Sequence, residues 1–172
     1  SLIATARTGV VKRMYHETDP AWVIASIAKN AGLEWIRKGR AFIVISEKDG
    51  WRHAYVYSRD GKQQALLTPG DSDIIERVKV DEAGGWFYYN ASPDNATQKY
   101  LHRVRLDGTG KPERVTPMNQ PGTHDYEFSP DAKFAFHTYS TFDKHRGAFQ
   151  NRRRGMLLPN DNEQRHNSPS AM

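Results

Sequence analysis

Residues 38–70 read KGRAFIVISEKDGWRHAYVYSRDGKQQALLTPG, and this stretch decides the fold. Phe42 to Ile45 is a short, wholly apolar run, as expected of a strand buried on both faces. Ala54-Tyr55-Val56-Tyr57 follows a loop and is ended by Asp60-Gly61, a hairpin signal because glycine accepts a positive φ. Gln64 to Leu67 forms a third strand, stopped by Pro69-Gly70. Ile74 to Val80 has the character of a fourth, ending at Asp81-Glu82-Ala83-Gly84-Gly85.

Working outward, the pattern recurs. Residues 84–117 read GGWFYYNASPDNATQKYLHRVRLDGTGKPERVTP. Gly39 and Gly84 lie 45 positions apart, Asp60 and Asp107 47 apart, and Thr68 and Thr116 48 apart. A third copy begins at Phe128-Ser129-Pro130-Asp131. Short antiparallel strands, four to a unit and repeating every 45 to 48 residues, predict an all-β chain forming part of a β-propeller. A sandwich with similar hairpins is the alternative. Val10 to Tyr15 reads as a strand and Ala21 to Asn30 as a possible short helix. Residues 1–143 form the expected propeller part, and 144–172 an atypical or disordered basic tail.

Charge follows that division. The net +5 of the 172 residues is concentrated in the tail, where six Lys or Arg face Asp161 and Glu163. The body is near neutral, which argues against a nucleic-acid footprint spread over a folded face. No segment offers the run of about 20 apolar residues that spans a bilayer. Ser1 to Thr8 has no signal-peptide pattern, and the absence of an initial Met points to an internal start or a processed chain. Cysteine is absent, which removes disulfides and thiolate metal sites.

The string Ser46-Glu47-Lys48-Asp49-Gly50-Trp51-Arg52-His53, followed by Tyr55-Val56-Tyr57, Asp60-Gly61-Lys62 and Leu67-Thr68-Pro69-Gly70, resembles the N-terminal propeller of dipeptidyl peptidase IV-like serine peptidases in their bacterial form. Asp19-Pro20-Ala21-Trp22-Val23, Val80-Asp81-Glu82, Tyr100-Leu101-His102-Arg103-Val104 and Phe128-Ser129-Pro130-Asp131 extend the likeness over residues 9–142. It departs from the family at Gly70-Asp71-Ser72-Asp73, where a Trp is usual, and at Ala132, which occupies a turn-glycine position. After Phe142 it stops abruptly. The resemblance implies a parent exopeptidase that removes dipeptides from peptide N-termini with a Ser-Asp-His triad, its propeller gating and orienting the peptide substrate. A periplasmic or cell-envelope location is also implied.

The α/β-hydrolase domain of that parent is expected to be absent here, because no Gly-x-Ser-x-Gly nucleophile turn occurs in the sequence. No Glu-Glu pair is present to hold a substrate amino terminus. The expected catalytic residues, metal ligands and cofactors are therefore none. Gly70-Asp71-Ser72 matches the nucleophile block of Gly-Asp-Ser hydrolases but lacks the Asp-x-x-His partner, so it reads as an inter-strand turn. Seven histidines show no metal-ligand spacing. The family string Asp49, Gly50, Trp51, Arg52, His53, Tyr55 and Tyr57 reads as structural: Trp51 fills space between blades, Arg52 pairs with a carboxylate, and His53 packs. Asn90-Ala91-Ser92 and Asn95-Ala96-Thr97 fit the glycosylation pattern and are idle in a bacterial protein. An incomplete ring should expose end faces near Val11 and Phe134 to Phe136 and favour a homo-oligomer. A stand-alone interaction module without peptidase activity is the second reading.

Overall fold

The computed structural model describes residues 2–5, 9, 11–18, 33–143 and 148–157, and among these all regular structure is β-strand. A hairpin of β1 (Leu2–Thr5) and β2 (Val11–Tyr15) comes first. The first four-stranded sheet follows in chain order: β3 (Glu34–Ile36), β4 (Ala41–Ser46), β5 (His53–Ser58) and β6 (Gln63–Leu66). The second repeats it with β7 (Ile74–Asp81), β8 (Trp86–Ala91), β9 (Tyr100–Arg105) and β10 (Glu113–Arg114). β11 (Thr123–Phe128), β12 (Phe134–Asp143) and β13 (Ala148–Leu157) form the third. Every pairing within these sheets is antiparallel.

Period-2 alternation explains why the central strands are apolar throughout. Ala41, Ile43 and Ile45 of β4, with Ala54 and Val56 of β5, face the second sheet and meet Phe87, Tyr89 and Val104. Their neighbours Phe42, Tyr55 and Tyr57 point the other way and pack with Met14 of the hairpin. In the second sheet, Trp86, Tyr88 and Leu101 turn away from the first and cluster with Tyr126 and Ala135 of the third. Each four-stranded sheet is thus covered on both faces, so both registers of its inner strands must be apolar.

Consecutive sheets are stitched in the same way. The Ile74 N–H, at the start of β7, donates to the Arg52 carbonyl at 2.8 Å. The His124 N–H, at the start of β11, donates to the Lys99 carbonyl at 3.0 Å. A repeated threonine closes each four-stranded sheet: Thr68 Oγ1 accepts the Ala54 N–H at 3.0 Å, and Thr116 Oγ1 accepts the Leu101 N–H at 2.9 Å.

Several expectations need correction. Ile74–Asp81 is the first strand of the second sheet, not the fourth of the first. It closes a short hairpin on β8, with Asp81 opposite Trp86, and a short local loop costs less entropy than pairing back to β6. The true first strand of the first sheet, Glu34–Ile36, has only three residues and little pattern to read. Ala148–Leu157, expected within an irregular tail, is a strand in register with the whole of β12, whose ten residues present a long backbone edge to be paired. Ala21 to Asn30, read as a possible helix, lies outside the described residues. Ala132 does adopt the turn-glycine backbone, at φ 55°.

Candidate functional site

The family string spans the loop from the end of β4 into β5. Its turn closes with the Gly50 N–H on the Glu47 carbonyl at 2.9 Å, and Gly50 takes φ 94°, which favours glycine. The Asp49 side chain then accepts the Trp51 N–H at 3.3 Å. His53 opens β5 and is 2% exposed. Its Nδ1 lies 2.9 Å from Asp49 Oδ2 and its Nε2 3.0 Å from the Gly70 carbonyl. The imidazole therefore ties the β4–β5 loop to the link between β6 and β7. Burial pushes the Asp49 carboxyl up, but the hydrogen bonds from His53 and the Trp51 N–H outweigh it and leave the group below the usual carboxylate range.

Below this loop Tyr55 and Tyr57 line the face toward the hairpin. The Lys48 ammonium lies 4.0 Å over the Tyr55 ring and donates to the Tyr57 hydroxyl at 2.7 Å. Burial, and then the Asp49 carboxylate, push the Tyr55 phenol upward. Burial likewise raises Tyr15 of β2 to about 12. The Tyr55 and Tyr15 phenols are held neutral as packing groups rather than as bases.

Two of the roles read from the string are corrected. Trp51 does not fill a gap between sheets; it is 39% exposed, because β4 has ended at Ser46 and β5 begins only at His53, so the indole lies beyond the sheet interface. Arg52 does meet a carboxylate, but through its backbone: its N–H donates to Asp73 Oδ1 at 2.7 Å, while its guanidinium donates to the Ile75 carbonyl at 3.1 Å. Gly70-Asp71-Ser72 is the link after β6, as its reading as a turn requires, and its Gly70 carbonyl is the acceptor of His53. What results is a hydrogen-bonded loop that presents one indole outward. Such a rigid aromatic can anchor a contact.

Two features escaped the sequence. Arg37, at φ 53°, donates its N–H to Glu82 across the gap between first and second sheets. Beside it an open cavity of about 260 Å³ is lined by Arg37, Glu82, Gly85, Arg105, Leu106 and Asp107, with two guanidiniums offset by two carboxylates. The second feature is a buried pair, His124 and His137, thirteen positions apart in sequence and brought together by β11–β12 pairing. Its available signal was the alternation of His124 with Tyr126 and of His137 with Tyr139.

Comparison with known proteins bears on this arrangement. The family model of the dipeptidyl peptidase IV (DPP IV) N-terminal region matches residues 1–146. A probable dipeptidyl-aminopeptidase B of Aspergillus oryzae is 33% identical over 94 residues, which is 54% of this chain and 10% of that protein. The probable dipeptidyl-aminopeptidase B of Emericella nidulans is 33% identical over 109 residues, 59% of this chain and 12% of the relative. Dipeptidyl peptidase 4 of Trichophyton rubrum is 29% identical over 66 residues, covering 38% and 8%. The chain spans about a tenth of the length of these relatives, which are fungal rather than bacterial. A crystal structure of Porphyromonas gingivalis dipeptidyl peptidase 4 superposes with a TM-score of 0.54 at 22% identity, over 78% of this chain and 19% of that one, and supports the fold. With stacked four-stranded antiparallel sheets and a family match over most of its length, the chain belongs to the dipeptidyl peptidase IV N-terminal region family.

Proposed function

We propose that this chain is a non-catalytic propeller segment of a dipeptidyl peptidase IV-like serine exopeptidase, whose parent releases N-terminal dipeptides from peptides. In that role the propeller walls and gates the approach of peptide to a catalytic domain, and the family string serves as a positioning element. The observation that carries the reading is the family match over residues 1–146. The stacked sheets add to it, since each four-stranded sheet buries both of its faces against a neighbour, as propeller blades do. The 172 residues hold no Gly-x-Ser-x-Gly turn, so the chain alone has no activated serine of that type.

The test is direct. The purified chain is assayed against Gly-Pro and Ala-Pro chromogenic dipeptides, and no turnover is expected. Turnover that follows the protein peak through a second purification overturns the reading.

A further inference from the structure

Aromatic rings are stacked between the second and third sheets. His124 of β11 and His137 of β12 are 0% and 5% exposed, with His124 Nδ1 at 2.7 Å from His137 Nε2. His124 Nε2 lies 3.0 Å from the Gln120 carbonyl. Tyr126 stacks on His137 at 4.4 Å, Tyr139 lies 5.4 and 5.3 Å from the two imidazoles, and Tyr100 of β9 packs at 5.6 Å on His124. The Tyr126 hydroxyl is in turn 2.9 Å from the Thr116 hydroxyl that closes the second sheet. The column therefore joins β9 and its closing link to β11 and β12.

The partners fix the hydrogens. A carbonyl only accepts, so His124 Nε2 carries its hydrogen and donates to Gln120. In the neutral ring His124 Nδ1 is then bare, and His137 Nε2–H donates to it. A proton added at His124 Nδ1 would set two N–H groups head to head across 2.7 Å in a buried gap. Burial, and next the neighbouring His137, push His124 down to about 4.

The surrounding charges do not reverse this. Arg114, from β10, lies over the Tyr100 ring at 3.5 Å and opposes a positive His124. Asp125 favours it from the next position on β11, but that carboxylate is already paired with Lys99, which also meets Glu76 of β7 at 3.2 Å. From the far side, β13 places Arg154 opposite His137 in register.

We propose that the His124–His137 pair is an acid-sensitive latch: neutral, it holds the third sheet against the second, and protonation of His124 releases β11 and β12 from β9. The sign follows from linkage. The closed state keeps His124 at about 4, whereas an opened state returns it to its ordinary 6.5. The latch is at full strength above pH 6.5. Below it, opening gains roughly tenfold per pH unit until the closed-state value is reached, roughly 300-fold in all.

Amide hydrogen exchange on the full chain between pH 7.5 and 4.5, corrected for intrinsic rates, tests this. Opening of residues 123–128 and 134–139 should rise about tenfold per unit below pH 6.5, while 41–46 and 53–58 stay level. His124→Gln should flatten the profile of the third sheet. Because that variant can fail to fold, the imidazole nitrogen resonances of the wild-type chain provide a second measurement, with His124 expected as the neutral Nε2–H form at pH 6. Parallel pH dependence in all sheets, a persisting slope in a folded His124→Gln chain, or a His124 that titrates at the ordinary histidine value each overturns the latch.

Discussion

The two Asp-Gly turns at residues 60–61 and 107–108 owe their glycines to more than turn geometry. A Cβ at Gly108, φ 79°, would fall 2.7 Å from the Ala65 Cβ of the preceding sheet. At Gly61, φ 88°, it would fall 2.3 Å from the Met14 carbonyl oxygen of the hairpin. The hairpin thus stands to the first sheet as the first stands to the second, each outer turn nesting on what precedes it. Gly108→Ala should cost about 2–3 kcal/mol, from left-handed strain plus the clash. Gly50, φ 94° with nothing within 4 Å, is the control, and Gly50→Ala should cost about 1 kcal/mol. Denaturant unfolding separates the two, and equal losses would mean that the nesting contact contributes nothing. Ala132 offers the converse: relieving φ 55° with Ala132→Gly should raise stability by about 0.5 kcal/mol, strain relief exceeding the entropy cost of glycine. Trp51 marks the limit of reading residues one at a time. Its identity was plain in the string, but whether it points inward depends on where β4 ends, which the sequence does not mark.

Elements were legible where both faces of a strand are buried and obscure elsewhere. Apolar runs and Asp-Gly turns revealed β4, β5, β8 and β9, because their central positions face two neighbours at once. Glu34–Ile36 and Glu113–Arg114 are too short to carry a period, and Ile74–Asp81 was legible as a strand but not as to its partner. The repeated threonines were visible as a spacing, but their task was not. Thr116→Val would strip an acceptor from the Leu101 N–H and a partner from the Tyr126 hydroxyl, both buried, at a cost of about 2–3 kcal/mol. Thr68→Val removes only the partner of the Ala54 N–H and should cost less, about 1–2 kcal/mol. Thermal unfolding of both variants checks the order, and the reverse order would remove Tyr126 from the account. The candidate loop has a pH signature as well. The lowered Asp49 carboxyl adds stability that is present above its unfolded value and lost as pH falls through the lower folded one, in the acid range. Asp49→Asn should remove that acid dependence from unfolding scans.

On the scale of the whole molecule, three apolar clusters run in sequence from the hairpin to the third sheet, while Val11 and Phe134 are exposed on the strands at either end. Those were the positions expected to be uncovered in an incomplete ring. The chain is therefore expected to self-associate at micromolar concentration, with more than monomer in sedimentation velocity. Val11→Ser with Phe134→Ser should shift it toward monomer; an unchanged distribution would place the contact elsewhere.

The repeated stitch has a mechanical consequence. β7 and β11 each begin on a carbonyl of the sheet before, Arg52 and Lys99, so a pull on the C-terminal end loads one seam at a time instead of shearing all sheets together. Stretched between its ends, the chain should yield in successive steps, the third sheet first. Repeats of 45 to 48 residues set the release at roughly 150–170 Å of extended backbone per four-stranded sheet. A single rupture in a force–extension trace would mean that the seams are as strong as the sheets they join.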